Sequence, residues 1–391
     1  MKSNFDEIID RRNTNSVKYD SVAGFGKSER IIPMWIADMD FKVPECVTEV
    51  LAKSVRHSVY GYSEVTKDGA YFAALQNWFS HRFGLKAEPE WLIKTPGVVF
   101  AMCTAVKAFT EKGDAVLIQR PVYPPFTKSA EANGRHVVVN PLVYEDGRYS
   151  IDFADFEDKI AKNNVKLFIL CSPHNPVGRV WTKDELGQMG EICVKRNVLV
   201  LSDEVHCDFV YGGNRHTAFA TISEDFLANS ITCTSPGKTF NISGLQVSNI
   251  FIAEPDLRQK FCNEAGKTGY GRLNTMALAA CQAAYENGGE WLGELLVYLQ
   301  QNYNYAKYFI NTNMPKARLA ELQGTYLLWL DLNAYGFSQA ELDKTIIEKA
   351  GLLISNGDTF GEEGKGFIRI NMACPLSTLE KALGQLATAL K

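Results

Sequence analysis

Three short stretches of this chain each place one chemically useful side chain just past an apolar run. CSPHNPVGRV (171–180) carries Asn175 in a turn, LSDEVHCDFV (201–210) carries Asp203 at the end of a strand-like segment, and TSPGKTFNISG (234–244) carries Lys238 in a loop of small residues. An amide, a carboxylate and an amine in that order are what an aldehyde cofactor needs. The amine forms a Schiff base, the anion keeps a ring nitrogen protonated, and the amide donates to a phenolic oxygen. Pyridoxal 5′-phosphate (PLP) is the cofactor with these requirements. None of the three residues would carry the signal alone, since a loop lysine is ordinarily solvated and a strand-end aspartate ordinarily caps the next turn.

These side chains need elements that bring them together. From about residue 90 to 285, short apolar runs alternate with amphipathic ones. Candidate strands are 114–119, 136–140, 166–171, 198–202, 230–234 and 248–253, rich in Val, Ile and Leu and without clean alternation. That pattern fits strands covered on both faces. Helical patterns lie between them, at 98–109 after Gly97 and at 183–196 after Thr182, where Glu185 completes a capping box. The expectation is an α/β fold with a mainly parallel central sheet and helices on both faces. Ligands bind beyond the carboxyl ends of such strands. Asp203 directly follows its strand, while Tyr123, Asn175 and Lys238 each lie four residues past theirs, so all four are expected on one edge.

The chain is 391 residues long, more than one core usually serves. We expect an N-terminal segment (1–45) packing with the small domain and cleft, a large cofactor-binding domain (46–285) and a smaller C-terminal α+β domain (286–391). A formal net charge of −4 gives no electrostatic case for nucleic acid or an anionic membrane. The N-terminus lacks the apolar segment of a secretory signal, and no apolar run approaches the roughly 20 residues of a membrane span. Nine scattered cysteines show no metal-like spacing, so no metal is expected. They read as small core hydrophobes of a reducing, cytoplasmic compartment.

With these stretches in view, the chain resembles the fold-type I PLP-dependent enzymes, the aspartate aminotransferase superfamily, over nearly its whole length. Within it the resemblance is to the carbon–sulfur β-lyases of the cystathionine β-lyase-like MalY/PatB group, including cystalysin. WIADMDF, VYGYSE, TPGVVFA, PVYPPF, CSPHNPVGRVWTKDEL, SDEVHCDFVY, SPGKTFNISGLQ, QGTYLLWLDL and FIRINMACP carry it.

The resemblance implies roles. Lys238 would be the Schiff-base lysine and would move the substrate Cα proton. Asp203 would pair with the ring nitrogen, Asn175 would bond the phenolic oxygen with His206 nearby, and Tyr123 would stack on the ring. Gly97, Val98 and Val99 at a helix N-terminus, with Ser235, would hold the phosphate. Tyr62 would reach that phosphate from the neighbouring subunit of a homodimer. Arg369 would clamp the substrate α-carboxylate, with the backbone of Ala37 and Asp38 closing over it. One position departs from the pattern. Many aminotransferases have a phosphate-binding arginine eight residues after the lysine, where this chain has Gln246. Either PLP is held less tightly or another donor compensates.

The implied activity is α,β-elimination of L-cystathionine, L-cysteine or related S-substituted cysteines to pyruvate, ammonia and a thiol or sulfide. No second arginine is evident for a distal carboxylate. Two other readings stand beside it. An aminotransferase would convert its cofactor stoichiometrically and reversibly to the amine form. A PLP-retaining regulatory protein would be inert to sulfur amino acids.

Overall fold

A computed structural model describes residues 3–25, 30–65 and 69–391. Its centre is a seven-stranded sheet of β1 (Leu92–Thr95), β2 (Ala115–Arg120), β3 (His136–Pro141), β4 (Val165–Cys171), β5 (Leu199–Asp203), β6 (Ser230–Thr234) and β7 (Ser248–Phe251). The spatial order is β1-β7-β6-β5-β4-β2-β3. Neighbours from β3 through β6 are parallel, while β7 runs antiparallel to both β6 and β1. The six expected strands are present with ends shifted by no more than two residues. Two features differ from the sequence reading. Leu92–Thr95 is a strand that was not anticipated, and the edge it shares with β7 is antiparallel. An apolar run covered on both faces looks the same in either direction, so composition cannot orient it.

The doubled apolar character of the strands has a direct cause. Along β4, Phe168 and Leu170 enter one core with Phe156, Leu186 and Met189, whereas Leu167 and Ile169 enter another with Ala101, Phe126 and Phe261. Successive side chains alternate between faces, and helices bury both. The helix Val98–Phe109 matches its expected span, and Lys183–Lys195 carries the predicted capping box.

A second, four-stranded antiparallel sheet contains β8 (Arg318–Leu319), β9 (Leu327–Asp331), β10 (Ser355–Asn356) and β11 (Phe367–Asn371), in the order β8-β9-β11-β10. The long helix Gly289–Asn313 and the final helix Leu376–Ala389 pack beside it. The helical pattern at 338–351 resolves into a short α-helix, Gln339–Lys344, followed by a wider π turn, Thr345–Lys349. Residues 32 and 33 pair in parallel with Leu352 and Leu353, and the Asn371 N–H donates to Met34 O at 2.9 Å. The N-terminal segment is thereby stitched to the second sheet. Among the described residues no helix is long and apolar enough to cross a membrane.

One contact set links this framework to the Asn175 turn. Backbone bonds tie His174 to Arg179 across that turn. Arg179 is gripped by both Glu185 oxygens (2.8 and 2.7 Å), by Gln323 Oε1 (2.9 Å) and by the Tyr149 carbonyl. Glu185 also accepts from the Thr182 N–H at 2.8 Å, so one carboxylate serves both the helix cap and the turn. Thr182→Ala should therefore cost about 1 kcal/mol, the value of a lost cap. Glu185→Ala should cost about 2 kcal/mol, because the largely buried guanidinium loses its fork as well. Urea-unfolding midpoints measure both, and equal losses would contradict the shared role.

Candidate functional site

Strand register explains why distant segments converge. Cys171 pairs with Asp203 and Asp203 with Cys233, so β4, β5 and β6 end side by side. The chain leaving each strand turns over the same edge. There, a cavity of about 320 Å³ is lined by Ala37, Gly97, Val98, Val99, Tyr123, Asn175, Asp203, His206, Ser235, Lys238 and Arg369, among others. Its size suits a small-molecule ligand.

Lys238 sits in the short helix Pro236–Thr239, which Ser235 caps by accepting from the Gly237 N–H at 3.1 Å. Its Nζ donates to the Ala37 carbonyl at 2.6 Å. Burial draws the amine down from its ordinary range to about 8; Asp38 and Asp203 oppose this, and Arg369 assists it. Asp203 is buried and, among the described residues, its carboxylate accepts a single backbone N–H, from Val205 at 3.2 Å. Burial raises its carboxyl to about 7, with the Val205 bond and Lys238 acting against the rise. A carboxyl this poorly compensated is matched to a cation brought by a ligand.

Arg369 comes from β11 and enters the cavity from the second sheet. Its Nη1 donates to Asn175 Oδ1 (3.0 Å), and its Nη2 donates to Trp35 O (2.6 Å) and Ser355 Oγ (3.1 Å). The guanidinium lies 4.8 Å from the Phe360 ring centroid. Burial lowers it to about 10, with the Tyr123 and Tyr326 hydroxyls opposing, so it stays charged at neutral pH. Because a guanidinium can only donate, the oxygen of Asn175 must face it. That leaves the Asn175 amide nitrogen as a donor aimed at the cavity. His206 is buried with Nδ1 unpartnered, and burial depresses its ring far below the usual imidazole range, so it is neutral. Tyr123 sits at the rim, 37 % exposed. The helix Val98–Phe109 points its N-terminus at the cavity, where first-turn N–H groups lack intrahelical acceptors.

Tyr62, expected at the neighbouring subunit's phosphate, and the side chain of Asp38, a residue expected to contribute its backbone, lie outside this cavity. Tyr62 is 95 % exposed beside a separate surface depression formed by residues 60–63 and 269–276. The Asp38 side chain turns away from the cavity into a fork with Arg11 (3.0 and 2.7 Å), beside a buried Lys18–Asp40 pair at 2.7 Å. Gln246 is exposed, a left-handed residue ending the turn Ser243–Leu245. The sequence reading missed Tyr326, whose hydroxyl donates to Ala37 O at 2.9 Å, and Asn371. Both stand in the quoted QGTYLLWLDL and FIRINMACP stretches, one residue ahead of β9 and two past Arg369. Among the described residues no cluster of His, Cys, Asp and Glu could hold a metal.

The raised Asp203 carboxyl predicts a pH signature for protein free of ligand. Its folded value near 7 exceeds the ordinary 3.8, so the folded state binds the proton more tightly than the unfolded chain. The resulting contribution is full below about pH 4 and is lost as pH rises to 7. Asp203→Asn removes it. Thermal melts between pH 5 and pH 8 should show a smaller fall in stability for the variant than for wild type; identical slopes would contradict the assignment.

Comparison with known proteins gives this geometry its context. Residues 30–386 match the family described as aminotransferase class I and II. Cystathionine beta-lyase PatB of Bacillus subtilis is 44 % identical over 387 residues, covering 99 % of this chain and all of PatB. Cystalysin from Treponema denticola, in a crystal structure containing PLP, superposes with a TM-score of 0.96 at 36 % identity, covering 100 % of this chain and 99 % of cystalysin. The PLP-bound C-S lyase from Staphylococcus hominis gives a TM-score of 0.93 at 36 % identity, covering 100 % of this chain and 98 % of that one. The chain belongs to the aminotransferase class I and II family and, within it, to the group that holds PatB and cystalysin.

Proposed function

We propose that this protein is a PLP-dependent carbon–sulfur β-lyase that eliminates the sulfur substituent of L-cystathionine, L-cysteine or a related S-substituted cysteine. The carrying observation is one cavity holding the Lys238 amine, the under-compensated Asp203 carboxyl and the Arg369 guanidinium, in a chain 44 % identical to PatB. The residues suit the cofactor. A protonated ring nitrogen supplies the cation Asp203 lacks. The Asn175 amide and the neutral His206 ring are free to donate to a phenolic oxygen. The N-terminus of Val98–Phe109, with Ser235, suits a phosphate dianion. Tyr123 at the rim covers the ring. Bound PLP supplies an electron sink that stabilises negative charge at the substrate Cα.

The chain's own groups do the rest. Arg369, already oriented by Trp35 O, Ser355 and Asn175, takes the substrate α-carboxylate in a fork. That contact fixes the Cα–H bond relative to Lys238. The neutral Lys238 amine accepts the Cα proton, a role favoured by its value near 8. The Cβ–S bond then breaks with its electron pair leaving on sulfur, which is protonated to the thiol. Addition of water to the remaining three-carbon fragment yields pyruvate and ammonia. Arg369 and Lys238 are the only cationic side chains lining the cavity among the described residues, so a distal carboxylate finds no dedicated partner there.

The same reading treats residues 46–285 as the cofactor-binding domain and 286–391 as the smaller domain. It also makes the working unit a homodimer. Val55, Val59, Tyr60 and Tyr62 are exposed apolar or aromatic side chains in a short stretch of sequence, which supports a partner covering them and Tyr62 reaching the partner's phosphate site.

The test is pyruvate release from L-cystathionine by the holoprotein with no keto-acid acceptor present. Absence of pyruvate across a panel of S-substituted cysteines would end the lyase reading. Lys238→Ala should lose the visible absorbance of lysine-bound cofactor and on the order of 10³-fold or more of the activity; retained absorbance would place the cofactor on another lysine. Arg369→Ala should raise KM by about tenfold or more, the worth of a charged hydrogen bond. An unchanged KM would contradict the clamp.

A further inference from the structure

We infer that Asn371 is a positioning residue for the Lys238 amine: its side-chain amide clamps the carbonyls of Ile36 and Asp38 and so turns the intervening Ala37 carbonyl onto Lys238 Nζ. The inference rests on the reading that Lys238 is the cofactor lysine.

Residues 36–39 form a strap over the cavity that belongs to no helix or strand. A strap of this kind cannot satisfy its own carbonyls, and a buried unsatisfied carbonyl is costly. Side chains supply what the backbone lacks, from Trp35 through to Met39. Trp35 O accepts from Arg369 and Ser355, Met39 O from Asn241 and Arg11. Between them, Asn371 Nδ2 lies 2.7 Å from Ile36 O and 2.6 Å from Asp38 O. One nitrogen reaching both oxygens places them on the same side of the strap. The carbonyl between them points elsewhere, onto Lys238 Nζ at 2.6 Å and the Tyr326 hydroxyl at 2.9 Å. The Asn371 amide is itself locked, since its Oδ1 accepts from the Ala373 N–H at 2.8 Å and the residue is buried in β11. Nothing in this arrangement can rotate without orphaning a buried group.

The consequence lies in the amine that is not joined to the cofactor. A neutral amine that donates one N–H to Ala37 keeps its lone pair for a carbon acid in the cavity, and the ammonium that follows donates to the same carbonyl. Asn371 therefore sets both the direction of the base and the ease of protonating it. The groups facing Lys238 are Asp203 from β5, Arg369 from β11, the neutral His206, and the Tyr123 and Tyr326 hydroxyls, while Asp38 on the strap, forked with Arg11, acts on it through space. Within this set the Ala37 carbonyl is the acceptor within hydrogen-bond distance of Nζ.

The test uses cofactor uptake, which needs no turnover. Apoprotein is mixed with PLP across a pH series, and the rate of appearance of lysine-bound cofactor is recorded. Only the neutral amine attacks the aldehyde, so the rate falls as Lys238 becomes protonated, with a wild-type midpoint near 8. The cofactor's own ionisations are common to every protein compared. Asn371→Ser cannot span both carbonyls, so the Ala37 carbonyl swings free and the ammonium loses its acceptor. Its midpoint should move down by about half a pH unit, the scale of one hydrogen bond. Tyr326→Phe removes the donor that competes for the Ala37 carbonyl while leaving the clamp in place. Its midpoint should move up by a similar amount, and this near-isosteric variant decides the matter if Asn371→Ser does not fold. Opposite shifts support the clamp, because generic loosening of the site moves both midpoints the same way. An unchanged or raised midpoint in folded Asn371→Ser, or an unchanged one in Tyr326→Phe, overturns it. Failure to release pyruvate would defeat the lyase reading and leave this result standing, whereas failure of wild type to take up PLP would defeat both.

Discussion

The alignment of three strand ends is the constraint on which this site depends. Cys171, Asp203 and Cys233 stand in register across β4, β5 and β6, and each strand releases its chain at the same height. A shift of one residue in β5 would turn Asp203 to the opposite face, and one in β4 or β6 would carry Asn175 or Lys238 away from the cavity. The two cores that sandwich the sheet enforce this register, since Phe168 and Leu170 on one side and Leu167 and Ile169 on the other leave no strand a polar face to expose. The energy that holds the catalytic geometry is therefore spread over apolar packing remote from the chemistry.

The second sheet completes what the first begins. Arg369 arrives from β11 and is fixed by Trp35 O, Ser355 and Asn175, so the cation proposed to take an α-carboxylate is oriented from both sheets and the strap at once. Burial then works on the groups in opposite senses. It raises Asp203, lowers Lys238 and keeps His206 neutral. Environments that push titratable groups apart in this way separate the roles of acid, base and counter-ion. A lyase and a transaminase share this first layer. They differ in whether a leaving group departs from Cβ before a proton returns elsewhere, and kinship with PatB and cystalysin favours departure.

Much of this was legible in the chain itself. Apolar runs placed six strands, Gly97 and Thr182 marked helix starts, and counting residues past each strand put Tyr123, Asn175, Asp203 and Lys238 on one edge, where the cavity lies. What stayed hidden depends on tertiary contact. The direction of β7 has no signature in SNIFIA. The Asp38 backbone was expected over the substrate, but the fork its side chain makes with Arg11, 27 positions away, had no sequence signal. Tyr326 and Asn371 were passed over as strand residues because their role is set by the carbonyls of residues 36–38, hundreds of positions away. Tyr62 lies outside the cavity of the single chain, and its expected role at a partner's phosphate rests on the family resemblance.

Which nitrogen holds the cofactor decides whether Lys238 has the role proposed for it. Borohydride reduction of the PLP-loaded protein fixes the lysine–cofactor bond permanently, and proteolysis with mass spectrometry then locates it. The geometry predicts a single modified peptide, the one containing Lys238. A label on any other lysine, or none on a protein saturated with PLP, would contradict it.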